Sequence, residues 1–321
     1  MGLVPETLVI FNAASRRGDA LAAQLQPHAA GGDGLRWVSL AELDGLNAQP
    51  ERVVAVGGDG TVNAVASWLR KTGHRCPMGM VPGGTGNNLF RGLGLPEPPE
   101  QALRLALTAR PVTRKLDLIR YHGAGAVATR LIVQAGAIGF PADVAARYDS
   151  LRARPTFRRA LRPLGGNAYR LLALGRLLGQ LHPAKRAARL EVRLPNETFE
   201  AQILALFIGN ERSLGGHFIP CPHARVDDGL LDLCLVRAGS LLSTVRLFQL
   251  ISRGEHLQHS DAVLYRQSAG PVELHLDRAV PMVADGDLWV RSDRFTLEVL
   301  PAACDLVVAA GGEPENTTED G

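Results

Sequence analysis

The sequence is short of the features that mark disulfide-rich, zinc-binding, secreted and membrane-spanning proteins. It has 4 cysteines in 321 residues, and no two of them form a Cys-x-x-Cys pair. We therefore expect reduced thiols, and neither a disulfide framework nor a zinc site is indicated. No apolar run approaches the roughly 18 residues that a membrane-spanning helix needs. Residues 1–6 carry no basic region followed by an apolar stretch, so no signal peptide is predicted.

The sequence also has a small net charge and few aromatic side chains. The formal net charge of +3 is too small to indicate a nucleic-acid partner, and aromatic residues make up only 5% of the chain. The composition, 46% hydrophobic and 21% charged, is typical of a folded globular protein. We predict a cytoplasmic protein that contacts the inner face of a membrane peripherally and binds no nucleic acid. The sequence predicts no particular oligomeric state.

Strands and helices alternate in residues 1–122. Apolar runs at 7–12, 52–56 and 78–82 each end in a polar or glycine-rich turn. After the second run, apolar residues recur at the spacing of a helix from Val62 to Leu69. This order predicts an α/β domain with a Rossmann-like parallel sheet, and ligands are expected at the carboxyl ends of its strands.

Strand-like runs follow one another in residues 123–310. They lie at 127–135, 189–194, 201–208, 230–236, 272–276 and 294–300. Consecutive strands with few helices predict a second, mainly antiparallel β domain. Within it, Ser240 is expected to cap a helix that ends before Gly254. Residues 311–321 are acidic and polar, and we expect them to be disordered.

Two glycine-rich turns are the most informative feature of the chain. They are Gly-Gly-Asp-Gly-Thr at 57–61 and Gly-Gly-Thr-Gly-Asn-Asn at 83–88, and each follows an apolar run. Glycines let the main chain approach phosphate oxygens, and the N–H groups at a helix start favour anions. A lysine-bearing P-loop is absent. The alternative is a pair of tight strand-to-helix turns in which Asp59 and Asn88 are plain helix caps.

Further motifs give the chain a specific resemblance. It resembles the diacylglycerol kinase catalytic-domain family, in particular the bacterial YegS-like lipid kinases. The matching segments run along nearly the whole chain: 12–15, 56–63, 82–90, 116–118, 136–140, 220–222, 227–232 and 284–287.

The resemblance implies an ATP site between the two domains. Its residues would be Gly57, Gly58, Asp59, Gly60, Thr61, Val62, Asn63, Gly84, Thr85 and Asn88, with Ser39 near a third nucleotide-contacting position. A magnesium site would use the Asp228 carboxylate and the main-chain carbonyls of Arg225 and Leu230, an all-oxygen set that suits Mg²⁺. Taken alone, the Asp227-Asp228-Gly229 run indicates an ordinary β-turn.

Asp287 matches the general base of the family, and Asp59 is the second residue assigned to catalysis. A hydroxyl nucleophile needs a proton acceptor within hydrogen-bond reach. The alternative is that Asp285-Gly286-Asp287 is a solvated turn. Two departures stand out: the family commonly has glutamate at the position of Asp287, and many members have aspartate at that of Asn88.

A basic, leucine-rich segment spans 147–189. Its arginines and lysines are interleaved with apolar residues, and Asp149 is its only acid. Such a segment can lie on an anionic bilayer. The alternatives are a solvated helical face packed on the β domain and, less favoured, an RNA contact.

The leading hypothesis is an ATP-dependent lipid kinase that uses Mg²⁺ and phosphorylates diacylglycerol or a related lipid. An NAD-kinase-type enzyme shares the first glycine turn, but the second turn and the 227–232 run fit the lipid kinases better. A catalytically silent lipid- or nucleotide-binding protein is the third hypothesis, because of Asn88 and Asp287.

Overall fold

The computed structural model describes residues 6–15, 18–29, 34–84, 87–126, 129–152, 187–214, 218–259 and 261–310. The predicted disordered tail lies wholly outside these ranges, and the basic segment lies mostly outside them. The chain forms two compact units. Unit 1 comprises Met1–Leu118, Val226–Gly229 and Leu300–Gly321, and unit 2 comprises Ile119–Arg225 and Leu230–Val299. Among the described residues, no helix is long and apolar enough to cross a bilayer.

Unit 1 is an α/β unit built on parallel strands. Its strands are β1 (Glu6–Phe11), β2 (Leu35–Ser39), β3 (Pro50–Gly57) and β4 (Met78–Pro82). They lie in the order β2-β1-β3-β4, and all these pairs are parallel. Its helices are α1 (Gly18–Leu25), α2 (Asp59–Thr72), α3 (Asn88–Gly92) and α4 (Pro99–Ala106).

The sequence explains the central strands and the helix between them. Val53–Val56 and the whole of β4 are buried, as in parallel strands that are covered on both faces. In α2, Val62, Val65, Ala66 and Leu69 are buried, so one face of the helix is in the core. The helix ends at Gly73, whose φ of 75° is the left-handed conformation that glycine supplies at helix ends.

Unit 2 is mainly antiparallel. Its strands are β6 (Arg130–Ile132), β7 (Ala135–Gly139), β8 (Ala188–Arg193), β9 (Thr198–Gly209), β10 (Leu231–Arg237), β11 (Val263–Ser268) and β12 (Val272–Ala284). The order β11-β10-β9-β7-β12 is antiparallel throughout, and β8 pairs with β9 and β12. Its helices are α5 (Phe140–Arg152) and α6 (Leu241–Ile251).

Two strands cross from one unit into the other. They are β5 (Val112–Gly123) and β13 (Asp287–Val308). In unit 1 the end of β13 runs parallel to β4, with Leu306 opposite Met78. In unit 2 its beginning is antiparallel to β12. The predicted fold class, a parallel α/β part followed by a mainly antiparallel β part, is confirmed.

One predicted strand was wrong. Residues 127–135 do not form a single strand in the described part of the chain: β6 ends at Ile132 and β7 starts at Ala135. Between them, the N–H groups of Val133 and Gln134 donate to the Asp285 carboxylate instead of to a neighbouring strand. A side-chain acceptor therefore interrupts an apolar run that otherwise looks continuous.

Candidate active site

The carboxyl ends of the unit 1 strands bring four polar or glycine turns to one edge of the sheet. Phe11 is opposite both Ser39 and Val56, and Gly57 is opposite Pro82. Because the strands are parallel, the residues that follow them all lie at the same edge. This is the edge where α/β sheets bind their ligands.

At this edge, the two glycine turns are in direct contact through their backbone atoms. The Gly83 N–H donates to the Gly57 carbonyl at 2.8 Å. A Cβ atom on Gly84 would lie 2.6 Å from the Cα of Gly58, and one on Gly58 would lie 3.0 Å from the Cα of Gly84. Any side chain at either position would therefore push the turns apart. We call this contact between residues 57–58 and 83–84 the glycine cradle.

Helix α2 begins at the cradle, and its N-cap residue is a glycine, which has no side chain that could cap the helix. Gly58 is the N-cap and makes no side-chain hydrogen bond, and Asp59 is the first helical residue. The alternative of Asp59 as the N-cap is thus incorrect. Thr61 and Val62 donate their N–H groups to the Gly58 carbonyl at 2.9 and 3.2 Å. Helix N-termini carry a partial positive charge, so this one favours an anion.

The side chains of the first turn differ in what they offer a ligand. Thr61 and Val62 are buried, and Asp59 and Asn63 are half-buried. A Cβ on Gly57 would lie 2.3 Å from the Thr61 Oγ1, so the threonine fills the space that this glycine leaves. Asn63 Oδ1 accepts from the Ser67 hydroxyl at 3.2 Å. The side chains of Thr61 and Val62 therefore pack inside this turn, while their N–H groups donate to the Gly58 carbonyl.

The second turn is held by the side chain of Asn87. Its Oδ1 accepts the Gly84 N–H at 3.0 Å, and its Nδ2 donates to the Gly84 carbonyl at 3.1 Å. Asn87 has a φ of 49° and is the N-cap of α3, so Asn88 is the first helical residue and not the cap. Asparagine is one of the few residues that adopt this φ readily. Thr85 and Gly86 lie outside the described residues.

Ser39 and Asn12, at the ends of β2 and β1, use their side chains locally. The Ser39 hydroxyl accepts the Ala41 N–H, and Glu42 accepts the Ser39 N–H at 2.8 Å, forming a capping box. Asn12 Oδ1 accepts the Ala14 N–H at 3.1 Å. Both side chains shape the turns of this edge.

A cavity of 380 Å³ opens beside the cradle within unit 1. Its lining is uncharged: Ala20, Leu21, Gln24, Pro82, Gly83, Gly84 and Pro99. The volume is within the range of small-molecule sites. Sequence reasoning missed the α1 residues Ala20, Leu21 and Gln24, because none of them has a residue type that indicates binding.

The predicted metal ligands lie on one short segment, 225–230. Asp228 is exposed, while the neighbouring Asp227 accepts from Arg114 Nε at 2.7 Å. In unit 1, the buried Asp117 carboxylate accepts the N–H groups of Gly229 and Ala302 at 2.6 and 2.7 Å. The Asp117 N–H donates to the Val226 carbonyl at 2.6 Å. The turn is therefore held by Asp117 and Arg114, with Asp228 at its surface.

Asp287 lies at the start of β13, where a two-residue turn joins β12 to β13. Asp285 and Gly286 have φ values of 47° and 89°, as type I′ hairpin turns require. Asp287 is opposite Ala284 and is exposed. Asp59 and Asp287 belong to different units, so the ATP site between the two domains stays a prediction.

Two known protein families match this chain, each over a different part of it. Residues 20–121 match the family described as diacylglycerol kinase catalytic domain, and residues 142–308 match the YegS C-terminal NAD kinase beta sandwich-like domain. A Chromohalobacter salexigens protein named "Probable lipid kinase YegS-like" is 32% identical over 284 residues, covering 88% of this chain and 82% of that protein. The chain belongs to the YegS-like lipid kinase family.

A second relative and a solved structure are also similar to this chain. A Xanthomonas oryzae pv. oryzae protein of the same name is 35% identical over 280 residues, covering 84% of this chain and 82% of the relative. A crystal structure of a diacylglycerol kinase from Bacillus anthracis aligns with a TM-score of 0.69 at 14% identity, covering 98% of this chain and 100% of that one. The structural similarity supports the fold. Membership in the YegS-like lipid kinase family identifies the protein as a kinase.

Proposed function

We propose that this kinase uses ATP and Mg²⁺ to transfer the γ-phosphoryl group to a hydroxyl of diacylglycerol or a related lipid. The observation that carries the proposal is the glycine cradle at the carboxyl edge of the unit 1 sheet. Two glycine turns in direct main-chain contact place no side chain between a polyphosphate and the backbone at the start of α2, which is the close approach that a polyphosphate site needs.

The surroundings of the cradle suit a nucleotide. The N-terminus of α2 would attract the phosphates, since its first N–H groups and the helix dipole both favour negative charge. The 380 Å³ cavity beside Gly83 and Gly84 has an uncharged lining that includes Leu21. The aromatic face of a nucleobase suits that lining, and Gln24 is a nearby polar group for its edge.

The residues proposed for Mg²⁺ have the right donor chemistry. Mg²⁺ prefers oxygen ligands, and segment 225–230 offers the exposed Asp228 carboxylate and the carbonyls of Arg225 and Leu230. Asp59 places another carboxylate in the first turn of α2. A carboxylate close to a polyphosphate is unfavourable unless a cation lies nearby, so Asp59 is consistent with a magnesium nucleotide. When bound, Mg²⁺ would neutralise phosphate charge.

Asp287 is the proposed proton acceptor. It is exposed at a hairpin turn, where a lipid hydroxyl can approach it. Aspartate is one methylene shorter than the glutamate common in the family, and it provides the same carboxylate. Because a lipid acceptor is confined to a bilayer, we expect peripheral contact with the membrane surface.

The test is transfer of labelled γ-phosphate from ATP, in the presence of Mg²⁺, to vesicles of a mixed lipid extract. We expect a labelled product in the organic phase, identified by mass spectrometry, and we expect its loss on removal of Mg²⁺. NAD offered as acceptor in a parallel reaction should yield no product. ATP binding without transfer to any lipid of a broad panel would contradict the proposal and favour a silent nucleotide-binding protein.

A further inference from the structure

The hairpin turn that presents Asp287 is held by a second carboxylate, that of Asp285. Both turn residues have positive φ, and Asp285 is one of the non-glycine residues of the described chain in that conformation. Aspartate tolerates this conformation better than most residues, but a non-glycine residue with positive φ is uncommon and usually has a local structural cause. The reason lies in the contacts of its side chain.

The Asp285 carboxylate accepts three consecutive backbone N–H groups from the segment between β6 and β7. Oδ2 accepts from Val133 at 2.8 Å, and Oδ1 accepts from Gln134 at 2.9 Å and Ala135 at 3.2 Å. In return, the Asp285 N–H donates to the Ala135 carbonyl at 2.9 Å. Hydrogen bonds to an ionised carboxylate are among the stronger ones in proteins. The turn is thus anchored on both its side chain and its main chain.

The segment that Asp285 holds is itself fixed from its carbonyl side. The fully buried Asn210 donates from Nδ2 to the Val133 carbonyl at 2.7 Å. The N–H groups of Asn210 and Glu211 donate to the Gln134 carbonyl at 2.8 and 2.9 Å. Residues 133–135 therefore bond to the end of β9 on one side and to Asp285 on the other. They form a rigid support for the turn.

We infer that Asp285 is a positioning residue for the proposed phosphoryl transfer, and the inference rests on the proposed function. By clamping the turn to residues 133–135, it fixes the place from which Asp287 accepts the proton of the acceptor hydroxyl. A carboxylate that already accepts three N–H groups is suited to holding a loop. Asp287, two residues on and exposed, is the one that meets the acceptor.

Two substitutions of Asp285 separate its side chain from its backbone conformation. Asp285→Gly keeps the positive φ and removes the carboxylate, and Asp285→Asn keeps the φ preference and one acceptor oxygen. Since a displacement of about 1 Å can cost about a hundredfold in rate, we expect kcat to fall about a hundredfold in Asp285→Gly. The loss in Asp285→Asn should be smaller. The KM for ATP should stay within about twofold in both.

Asp261→Gly is the matched control, because it removes an exposed turn aspartate from the same unit. We expect it to leave kcat unchanged. Amide hydrogen exchange supplies a readout of the clamp itself: exchange at residues 133–135 should be faster in Asp285→Gly than in the control.

A double substitution decides whether Asp285 acts through Asp287. If it does, Asp285→Gly should barely slow the residual rate of an Asp287→Asn variant. Wild-type kcat in Asp285→Gly, or an equal further loss in the Asp287→Asn background, would overturn the inference while leaving the kinase proposal intact. Absence of phosphoryl transfer by the wild-type enzyme would overturn the kinase proposal, and the inference with it.

Discussion

The two units hold their candidate functional groups in opposite ways. In unit 1, the glycine cradle is a surface of main chain, and a single added Cβ at Gly84 would lie 2.6 Å from a neighbouring Cα. In unit 2, the candidate group is the Asp287 side chain, whose turn depends on hydrogen bonds that the Asp285 carboxylate accepts from residues 133–135. A substitution that adds side-chain atoms should damage the glycine cradle, whereas a substitution that removes a carboxylate should damage the Asp287 turn. The two units should therefore be sensitive to different kinds of substitution.

The largest effect is expected from removing the charge of the proposed base. Asp287→Asn should lower kcat by about 10²–10⁴-fold, because general base catalysis typically contributes that much. ATP affinity should be unchanged, since Asp287 is assigned to the acceptor. Steady-state kinetics with varied ATP and varied lipid measure both quantities.

Asp293→Asn is the control for this change, because Asp293 is an exposed aspartate of the same strand. It should leave kcat as it is. A full loss of activity in Asp293→Asn, or wild-type kcat in Asp287→Asn, would remove the contrast between the two units.

The next effect concerns Asp117, a buried side chain of unit 1 that holds the 226–229 turn. Asp117→Ala removes a buried carboxylate that accepts two N–H groups. Hydrogen bonds to charged groups contribute about 1.5–3 kcal/mol each, so we expect the free energy of unfolding to fall by about 3 kcal/mol. Denaturant unfolding measures the change.

Asp305→Ala provides the comparison for Asp117. Asp305 pairs with Lys115 at 2.6 Å near the surface, where the lysine is mostly exposed. Surface ion pairs contribute about 0–1 kcal/mol, so this variant should stay close to wild type. A free energy of unfolding close to the wild-type value in both variants would contradict the dependence of the 226–229 turn on Asp117.

A smaller, pH-dependent effect is expected from His256 in unit 2. It is fully buried, and its Nε2 lies 3.0 Å from the Pro220 carbonyl. Burial lowers its pKa below the usual 6.5, the nearby His223 lowers it further, and the hydrogen bond to Pro220 opposes the shift. The unfolded chain therefore binds a proton at a higher pH than the folded one. His256 contributes stability that is present above about pH 6.5 and is lost as the pH falls through the folded pKa.

His256→Gln removes this titration. Between about pH 7.5 and 5.5 the variant should lose less stability than the wild type, by at most about 1.4 kcal/mol per pH unit. Thermal unfolding at the two pH values measures the difference. Parallel losses in the two proteins would contradict the assignment of this pH dependence to His256.

Much of the fold could be predicted because its signals are local. The buried runs of β3 and β4, the helical spacing of α2 and the Ser240 cap of α6 are all visible in the sequence, and Ser240 does accept the Ser243 N–H at 3.2 Å. Two edge strands of the described sheet, β2 and β11, were missed. They contain polar residues such as Arg36 and Arg266 and are only partly buried, so they lack a clear apolar pattern.

The candidate site could be predicted where the residue type alone indicates the chemistry. The glycines of the cradle and the carboxylates of 228 and 287 carry their chemistry in the sequence. Asn87 and Asp285 were missed as supporting residues, because their role depends on partners in the fold: Gly84 for one, and residues 133–135 for the other. A short polar residue in a turn has many local explanations, and only the contacts distinguish them.

The role of the glycine cradle is tested most sharply by the affinity for ATP of Gly84→Ala, compared with that of Gly45→Ala and measured by calorimetry. A Cβ on Gly84 would meet Gly58, whereas one on the exposed Gly45 has nothing within 4 Å. We expect the Kd for ATP to rise at least about tenfold, or 1.4 kcal/mol, in Gly84→Ala and to be unchanged in Gly45→Ala. Wild-type ATP affinity in a folded Gly84→Ala would contradict the claim that the glycine cradle binds the nucleotide.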